Sequence, residues 1–108
     1  MTMGAKMTYQ LVLQLPGRTS ADYDRMLRWE EEMIKGLGDF GEVDGHDMGA
    51  GEMNIFVLTD QPQAAFDRIK VLIGAEEFMR ELKVAYREIG KSQFTIVHPP
   101  GLTRFTIA

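Results

Sequence analysis

The residues best suited to chemistry lie in a short acidic run that contains one of the chain's two histidines. Asp44, His46 and Glu52 combine an imidazole with carboxylates, which can bind a divalent metal or exchange protons near neutral pH. The competing interpretation is a set of polar, turn-tolerant residues on a solvated strand, because the run lacks the fixed ligand spacing of a zinc site. The second histidine, His98, precedes two prolines and could be a base, a haem ligand or a surface residue at a turn.

The expected turn between these groups is a three-residue hairpin loop, Gly49 to Gly51. Such a loop predicts the cross-strand pairs Met48–Glu52, His46–Asn54 and Asp44–Phe56. Because side chains alternate along a strand, Asp44, His46 and Glu52 would then share one face of the sheet.

That same face would carry the apolar side chains Val12, Phe56 and Leu58. A contiguous apolar patch on an open sheet indicates a partner or a covering segment. A second copy of the chain and the chain's own C-terminal segment, defined here as residues 102–107, are both candidates. Trp29, at the rim of a helix's apolar stripe, would either anchor an interface or cover the edge of the core.

The letters of a GxGxxG dinucleotide motif occur at residues 36–41. The motif functions when a strand precedes it and a helix follows, so that the helix N-terminus meets the pyrophosphate. Here a helix precedes and a strand follows, so the glycines indicate a helix end and a turn. We predict no cofactor there; a divalent metal at the Asp44, His46 and Glu52 cluster is the one cofactor that the residues allow.

The composition excludes several classes of function. The chain has no cysteine, which excludes thiolate chemistry and iron–sulfur clusters and fits a reducing, cytoplasmic location. The net charge is −4 and the cations are scattered, which disfavours nucleic acids and anionic membrane surfaces. No apolar run suits a signal peptide or a membrane span.

The elements that must position these residues follow from periodicity. Residues 9–15 alternate as a half-buried strand, and Thr19 or Ser20 caps a helix that ends at Gly36 or Gly38. The runs 41–48 and 52–59 form the hairpin. A second helix opens at Asp60 and Pro62 and ends at Gly74.

The last third of the chain leaves alternatives open. Residues 75–82 are expected to be a short helix, and 84–89 could prolong that helix or form a strand. Residues 94–98 are extended. Residues 102–108 would add an edge strand or form a tail.

The resulting order is strand, helix, strand, strand, helix, strand over residues 9–98, and it resembles the ferredoxin-like superfold. The resemblance implies an α+β split βαβ sandwich: an antiparallel sheet with two main helices on one face, plus a C-terminal strand or tail. Residues 8–108 would form one domain. Residues 1–7 would lie outside it, as a disordered or cloning-derived segment with Met3 or Met7 as alternative starts. This superfold implies no function.

The run Asp44 to Glu52, followed by Asn54-Ile55-Phe56, also resembles a small bacterial protein family without known activity. This resemblance therefore implies nothing about chemistry.

These observations favour a non-catalytic protein-binding or interaction module that uses the open sheet face. Its partner would be a second copy, giving a homodimer, or another protein, and neither a nucleic acid nor a membrane. The alternative is a small dimeric ferredoxin-like enzyme with metal or oxygen chemistry, using His46 or His98 with Asp44, Asp47 or Glu52.

Overall fold

The computed structural model describes residues 8–74 and 80–107. The expectations for residues 1–7 and for most of the short helix at 75–82 lie outside the described residues. Of that helix, residues 80–82 are described, and they form a turn and its exit. None of the described helices combines the length and the apolar character that crossing a membrane would require.

Within the described residues, five strands and two α-helices follow one another in the order β1, α1, β2, β3, α2, β4 and β5. Their bounds are Tyr9–Pro16, Ser20–Gly36, Glu42–Gly49, Glu52–Thr59, Pro62–Ile73, Lys83–Glu88 and Thr95–His98. The strands form one antiparallel sheet in the order β2-β3-β1-β4-β5. The predicted α+β architecture with an antiparallel sheet is confirmed at this level.

The hydrophobic core lies between the helices and one face of the sheet. The strands contribute the alternating residues of β1 and β3, and the helices contribute methionines and branched side chains at helical spacing. The fully buried members include Leu11, Leu13, Ile55, Val57, Met26, Met33 and Ile69.

Helix α1 starts where the sequence predicts. Thr19 is its N-cap, and the Thr19 hydroxyl accepts a hydrogen bond of 3.0 Å from the Asp22 backbone N–H. At the other end, Gly36 lets Leu72 of α2 pack closely, because a Cβ on Gly36 would overlap a methyl carbon of Leu72. A short 3₁₀ turn, Gly38–Phe40, then leads into β2, so the GxGxxG letters do mark a helix end and a turn.

The start of α2 differs by one residue from the expectation. Gln61, and not Asp60, is its N-cap, with Pro62 in the first turn. The Asp60 carboxylate instead accepts a hydrogen bond from the Thr8 backbone N–H at 2.9 Å. Gly74 ends the helix in the left-handed conformation, as predicted.

The fourth strand of the sheet is Lys83–Glu88, which decides between the helix and strand alternatives for this stretch. Residues 94–98 are extended as predicted, but Thr95–His98 pairs with β4 as a fifth strand at the sheet edge, which the predicted element order did not contain. Residues 102–107 contain no strand.

The C-terminal segment covers part of the sheet face that lies opposite the helices, called here the open face. The Gln14 side-chain amide donates a hydrogen bond of 2.9 Å to the Thr106 carbonyl. The ring of Phe105 lies 5.0 Å from that of Phe94. Val12, at the centre of this face, is 0% exposed. Of the two candidates for covering this face, a second copy of the chain and the C-terminal segment, the segment contacts it in this structure.

Candidate functional site

The β2–β3 hairpin decides which candidate residues meet, and its register differs from the predicted one. The loop has two residues, Ala50 and Gly51, with φ angles of 52° and 77°. Gly49 pairs with Glu52, and His46 pairs with Ile55 and not with Asn54. Two central residues with positive φ suit the right-handed twist of a hairpin, which is why the shorter loop forms. Because the side-chain period is two, this one-residue shift moves His46 to the opposite face.

A β-bulge interrupts β2 between Val43 and His46. Val43 pairs with Val57 and His46 pairs with Ile55, so three steps along β2 match two steps along β3. Gly45 supplies the bulge with a φ of 99°, a conformation that glycine adopts without strain. The extra residue places both Val43 and His46 on the helix side of the sheet.

The predicted metal triad is therefore not assembled. His46 lies on the helix side, whereas Glu52 lies on the open face, 3.8 Å from the Lys83 amine. Asp44 lies within the bulge. Throughout residues 8–74 and 80–107, no three His, Asp or Glu side chains lie close enough to hold a metal ion.

His46 instead meets Glu30 of helix α1. The imidazole Nδ1 lies 3.0 Å from each of the two carboxylate oxygens. The His46 side chain is 29% exposed and the Glu30 side chain 12% exposed, so the pair lies at the edge of the core. The ring of Tyr23 packs edge-on against the imidazole, with 6.2 Å between ring centroids.

Sequence reasoning missed Glu30, although a signal for it exists. Glu30 follows Tyr23 by seven residues and Met26 by four, so it lies on the stripe of α1 that faces the sheet. A carboxylate in an otherwise apolar stripe needs a polar partner, and a histidine on the neighbouring strand supplies one.

A shallow, open groove of about 530 Å³ lies between the start of α1 and the tip of the hairpin. Its walls include Gly17, Thr19, Tyr23 and Met48. Met48 follows His46 on the helix side of β2, because it pairs with the core residue Met53. The groove and the Glu30–His46 pair therefore share Tyr23 as a common wall.

Asp22 closes the N-terminus of α1 next to the groove. Its carboxylate accepts the Arg18 backbone N–H at 3.0 Å and the Arg25 guanidinium at 3.0 Å. These contacts, the Arg18 backbone hydrogen bond first among them, hold the pKa of Asp22 below its usual value of 3.8.

The open face carries a chain of buried side-chain amides. The Gln14 amide donates to Asn54 at 3.0 Å as well as to Thr106, and the Asn54 amide donates to Asp47 at 2.9 Å. Beside this chain, Phe56 and Leu58 remain half-buried, although Val12 is fully buried.

The remaining predicted candidates lie elsewhere. Trp29 is 6% exposed and belongs to the core, so it covers the core edge more completely than expected and presents little surface to a partner. His98 lies on β5, at the sheet edge opposite His46, and its ring is 5.7 Å from that of Phe66 in α2. The two histidines do not meet.

Comparison of the chain with protein-family models, with curated proteins and with solved structures finds no match. The geometry described above is therefore the basis for any functional conclusion.

Proposed function

We propose that this protein is a protein-binding module that accepts a basic, extended segment of a partner along the outer edge of β2. The observation that carries the proposal is the combination, on one strand, of a backbone edge that no other described strand pairs with and carboxylates that no described Lys or Arg contacts. This is binding by strand addition, in which backbone hydrogen bonds give affinity and side chains give specificity.

The backbone edge is long enough for such binding. Strand β2 has eight residues, Glu42–Gly49, and among the described strands it pairs only with β3. At the other end of the sheet, β5 has four residues, Thr95–His98, and offers a shorter edge. Edge strands are templates for pairing with another chain. The bulge at Gly45 divides the edge of β2, and residues 46–49 beyond it form a regular ladder with β3.

The charge of the edge selects the partner. Glu42, Asp44 and Asp47 are exposed, and among the described residues none of them has a Lys or Arg in ion-pair contact. Two copies of β2 placed side by side would set these carboxylates against one another, which is unfavourable. Lysine or arginine side chains on an incoming strand would be attracted instead.

Apolar contacts would extend the surface onto the open face. Phe56 and Leu58 of β3 are half-buried on that face next to β2. A partner strand bonded to β2 could place alternate apolar side chains against them. This keeps the interaction role for Phe56 and Leu58 and moves the main contact to the strand edge.

We also propose a ferredoxin-like classification with β5 as an addition, which the order of β1 to β4 supports. A cytoplasmic location is proposed from the cysteine-free sequence.

The test uses a synthetic peptide of alternating lysine and valine and a matched peptide of alternating glutamate and valine. Binding is followed by amide chemical shifts in NMR spectra and by calorimetry at two salt concentrations. We expect the basic peptide alone to bind, with shifts concentrated in residues 42–48 and an affinity that falls as salt rises. The double variant Glu42→Gln/Asp44→Asn should bind several-fold more weakly, since each exposed ion pair contributes roughly 0.2–1 kcal/mol.

The matched control is Glu31→Gln/Glu32→Gln, which removes the same charge from the exposed face of α1 and should leave binding unchanged. Equal binding of both peptides, or shifts outside β2 and β3, would overturn the proposal. Light scattering adds one further outcome. A dimer that Phe56→Asp dissociates, without peptide binding at β2, would replace this proposal with a second copy bound to the open face.

A further inference from the structure

We propose that Glu30 and His46 form a nucleophilic pair, in which Glu30 holds the Nδ1 proton and Nε2 attacks small acyl compounds with an apolar or aromatic body. The groove beside Tyr23 and Met48 would hold that body. This site lies on the helix side of β2, so the inference does not depend on partner binding at the strand edge.

The hydrogen bond between the two side chains sets the tautomer of the imidazole. An ionised carboxylate can only accept hydrogen bonds, and both Glu30 oxygens lie 3.0 Å from Nδ1. The proton of a neutral His46 therefore belongs on Nδ1, and Nε2 keeps its lone pair. Among the described residues, none makes a hydrogen bond to Nε2.

The position of the pair leaves the ring fixed but reachable. Glu30 is held in the helix that packs on the sheet, and the edge-on Tyr23 ring limits rotation of the imidazole. The His46 side chain nevertheless keeps 29% of its surface exposed. A nucleophile oriented by a second group, with access for a substrate, is the arrangement that covalent catalysis requires.

The groove favours a substrate with an apolar body. Tyr23 and Met48 give it aromatic and thioether surfaces, and its volume of about 530 Å³ accommodates a small molecule. The groove and the imidazole share Tyr23, which lines the groove and packs edge-on against the ring, and Met48 follows His46 on the same side of β2.

The reaction balances with water as the only co-reactant. The Nε2 lone pair attacks the acyl carbonyl carbon, and the bond to the leaving oxygen breaks with its electron pair. The acyl-imidazolium passes its Nδ1 proton towards Glu30. Water then adds its hydroxyl to the acyl carbon and gives its other proton to solvent, and the bond between that carbon and Nε2 breaks with its electron pair returning to Nε2. The carboxylic acid leaves, and Glu30 returns its proton to Nδ1, which regenerates the neutral imidazole.

The probe is 4-nitrophenyl acetate. The rate of nitrophenolate release is measured by absorbance with the full chain, and the rate of background hydrolysis without protein is subtracted. We expect His46→Asn to abolish the acceleration and Glu30→Gln to reduce it about tenfold, the usual effect of losing an orienting partner. His98→Asn and Glu31→Gln are the matched controls and should keep the wild-type rate. Circular dichroism verifies that every variant is folded.

A second measurement separates orientation from a merely structural role. Nitrogen-15 NMR of the imidazole should show the proton on Nδ1 of His46 in the wild type, and its loss from that site in Glu30→Ala. Equal ester hydrolysis by wild type and His46→Asn would overturn the proposal. So would a wild-type His46 that carries its proton on Nε2.

Discussion

Two carboxylates of helix α1 have different tasks, although they lie only two turns apart. Asp22 binds backbone and guanidinium groups at the helix start, whereas Glu30 reaches across to a histidine on the sheet. Position in the helix explains the difference. Asp22, in the first turn, reaches back to the Arg18 backbone N–H just before the N-cap, whereas the sheet-facing stripe offers Glu30 a partner on β2.

Asp22 should make the protein sensitive to acid. Its pKa in the folded state lies below the usual 3.8, so ionised Asp22 stabilises the fold above that pH. This contribution disappears as the pH falls through the lowered pKa. We expect Asp22→Asn to lower the melting temperature at neutral pH, and the gap to wild type to close below about pH 4.

Thermal unfolding between pH 2 and 7 measures this gap. Asp24→Asn is the control, because Asp24 is exposed on the same helix and should show no gap that closes with acid. A gap for Asp22→Asn that stays constant down to the lowest pH would contradict the prediction.

The hairpin shows how far sequence reasoning reaches among the strands and helices. Periodicity located both strands, because the apolar pattern of Met53 to Leu58 is strong, and it placed β1 and α1 within a residue or two of their ends. The register was wrong because glycines at 49 and 51 permit either a two- or a three-residue loop. The bulge at Gly45 has no periodic signal, so the face of His46 could not be read from alternation.

The strands formed by the last third of the chain, β4 and β5, were harder to predict. Residues 83–88 carry apolar side chains at 84, 85 and 86 that suit a helix or a strand equally well. Only pairing with β1 distinguishes the two, and that pairing joins residues from Gln14 with Lys83 to Tyr9 with Glu88, far apart in the chain. The pairing of His46 with Glu30 was hidden for the same reason, because it depends on how α1 lies over β2.

The hairpin turn carries a strain that a substitution can relieve. Ala50 has a φ of 52°, which costs most residues about 1 kcal/mol but suits asparagine. Ala50→Asn should therefore raise the free energy of unfolding by about 1 kcal/mol. Chemical denaturation measures the change.

The neighbouring position should respond in the opposite direction. Gly51 has a φ of 77°, so Gly51→Ala introduces strain and should lower the free energy of unfolding by about 1–2 kcal/mol. A stabilising effect of Gly51→Ala, or a destabilising one of Ala50→Asn, would show that the loop is not the two-residue turn.

The C-terminal segment should contribute to stability although it has no regular structure. Phe105 packs against Phe94 and helps to cover the open face, so Phe105→Ala should lower the free energy of unfolding by about 1–2 kcal/mol. Thr103→Ala, at an exposed position of the same segment, should change it by less than about 0.5 kcal/mol. Equal effects of the two substitutions in urea denaturation would show that the segment does not rest on the sheet.

For the chain as a whole, β1 is the element on which the rest depends. It lies at the middle of the sheet between β3 and β4, and its side chains serve both faces. The helix-side residues fill the core, and on the open face Gln14 donates a hydrogen bond to the C-terminal segment. Loss of packing at β1 should therefore lower the free energy of unfolding of the whole domain.

Leu13→Ala tests this dependence. The side chain is completely buried, so the substitution should lower the free energy of unfolding by about 2–5 kcal/mol. That is a large part of the roughly 5–15 kcal/mol by which such domains are stable. Val71→Ala, at a position that is 71% exposed on α2, should stay within about 0.5 kcal/mol of wild type. A cost for Leu13→Ala no greater than that of Val71→Ala would contradict the central role of β1.

The bulge at Gly45 bears on how the length of this chain can change. The paired stretch contains eight residues of β2, Glu42 to Gly49, and seven residues of β3, Leu58 to Glu52. Deleting Gly45 would leave a regular ladder in which Val43 still meets Val57 and His46 still meets Ile55. Most single-residue deletions within a strand turn half of its side chains to the wrong face. Strands with and without residue 45 would therefore keep the same pairing on both sides of the bulge. A one-residue deletion in a related sequence would be tolerated at this position.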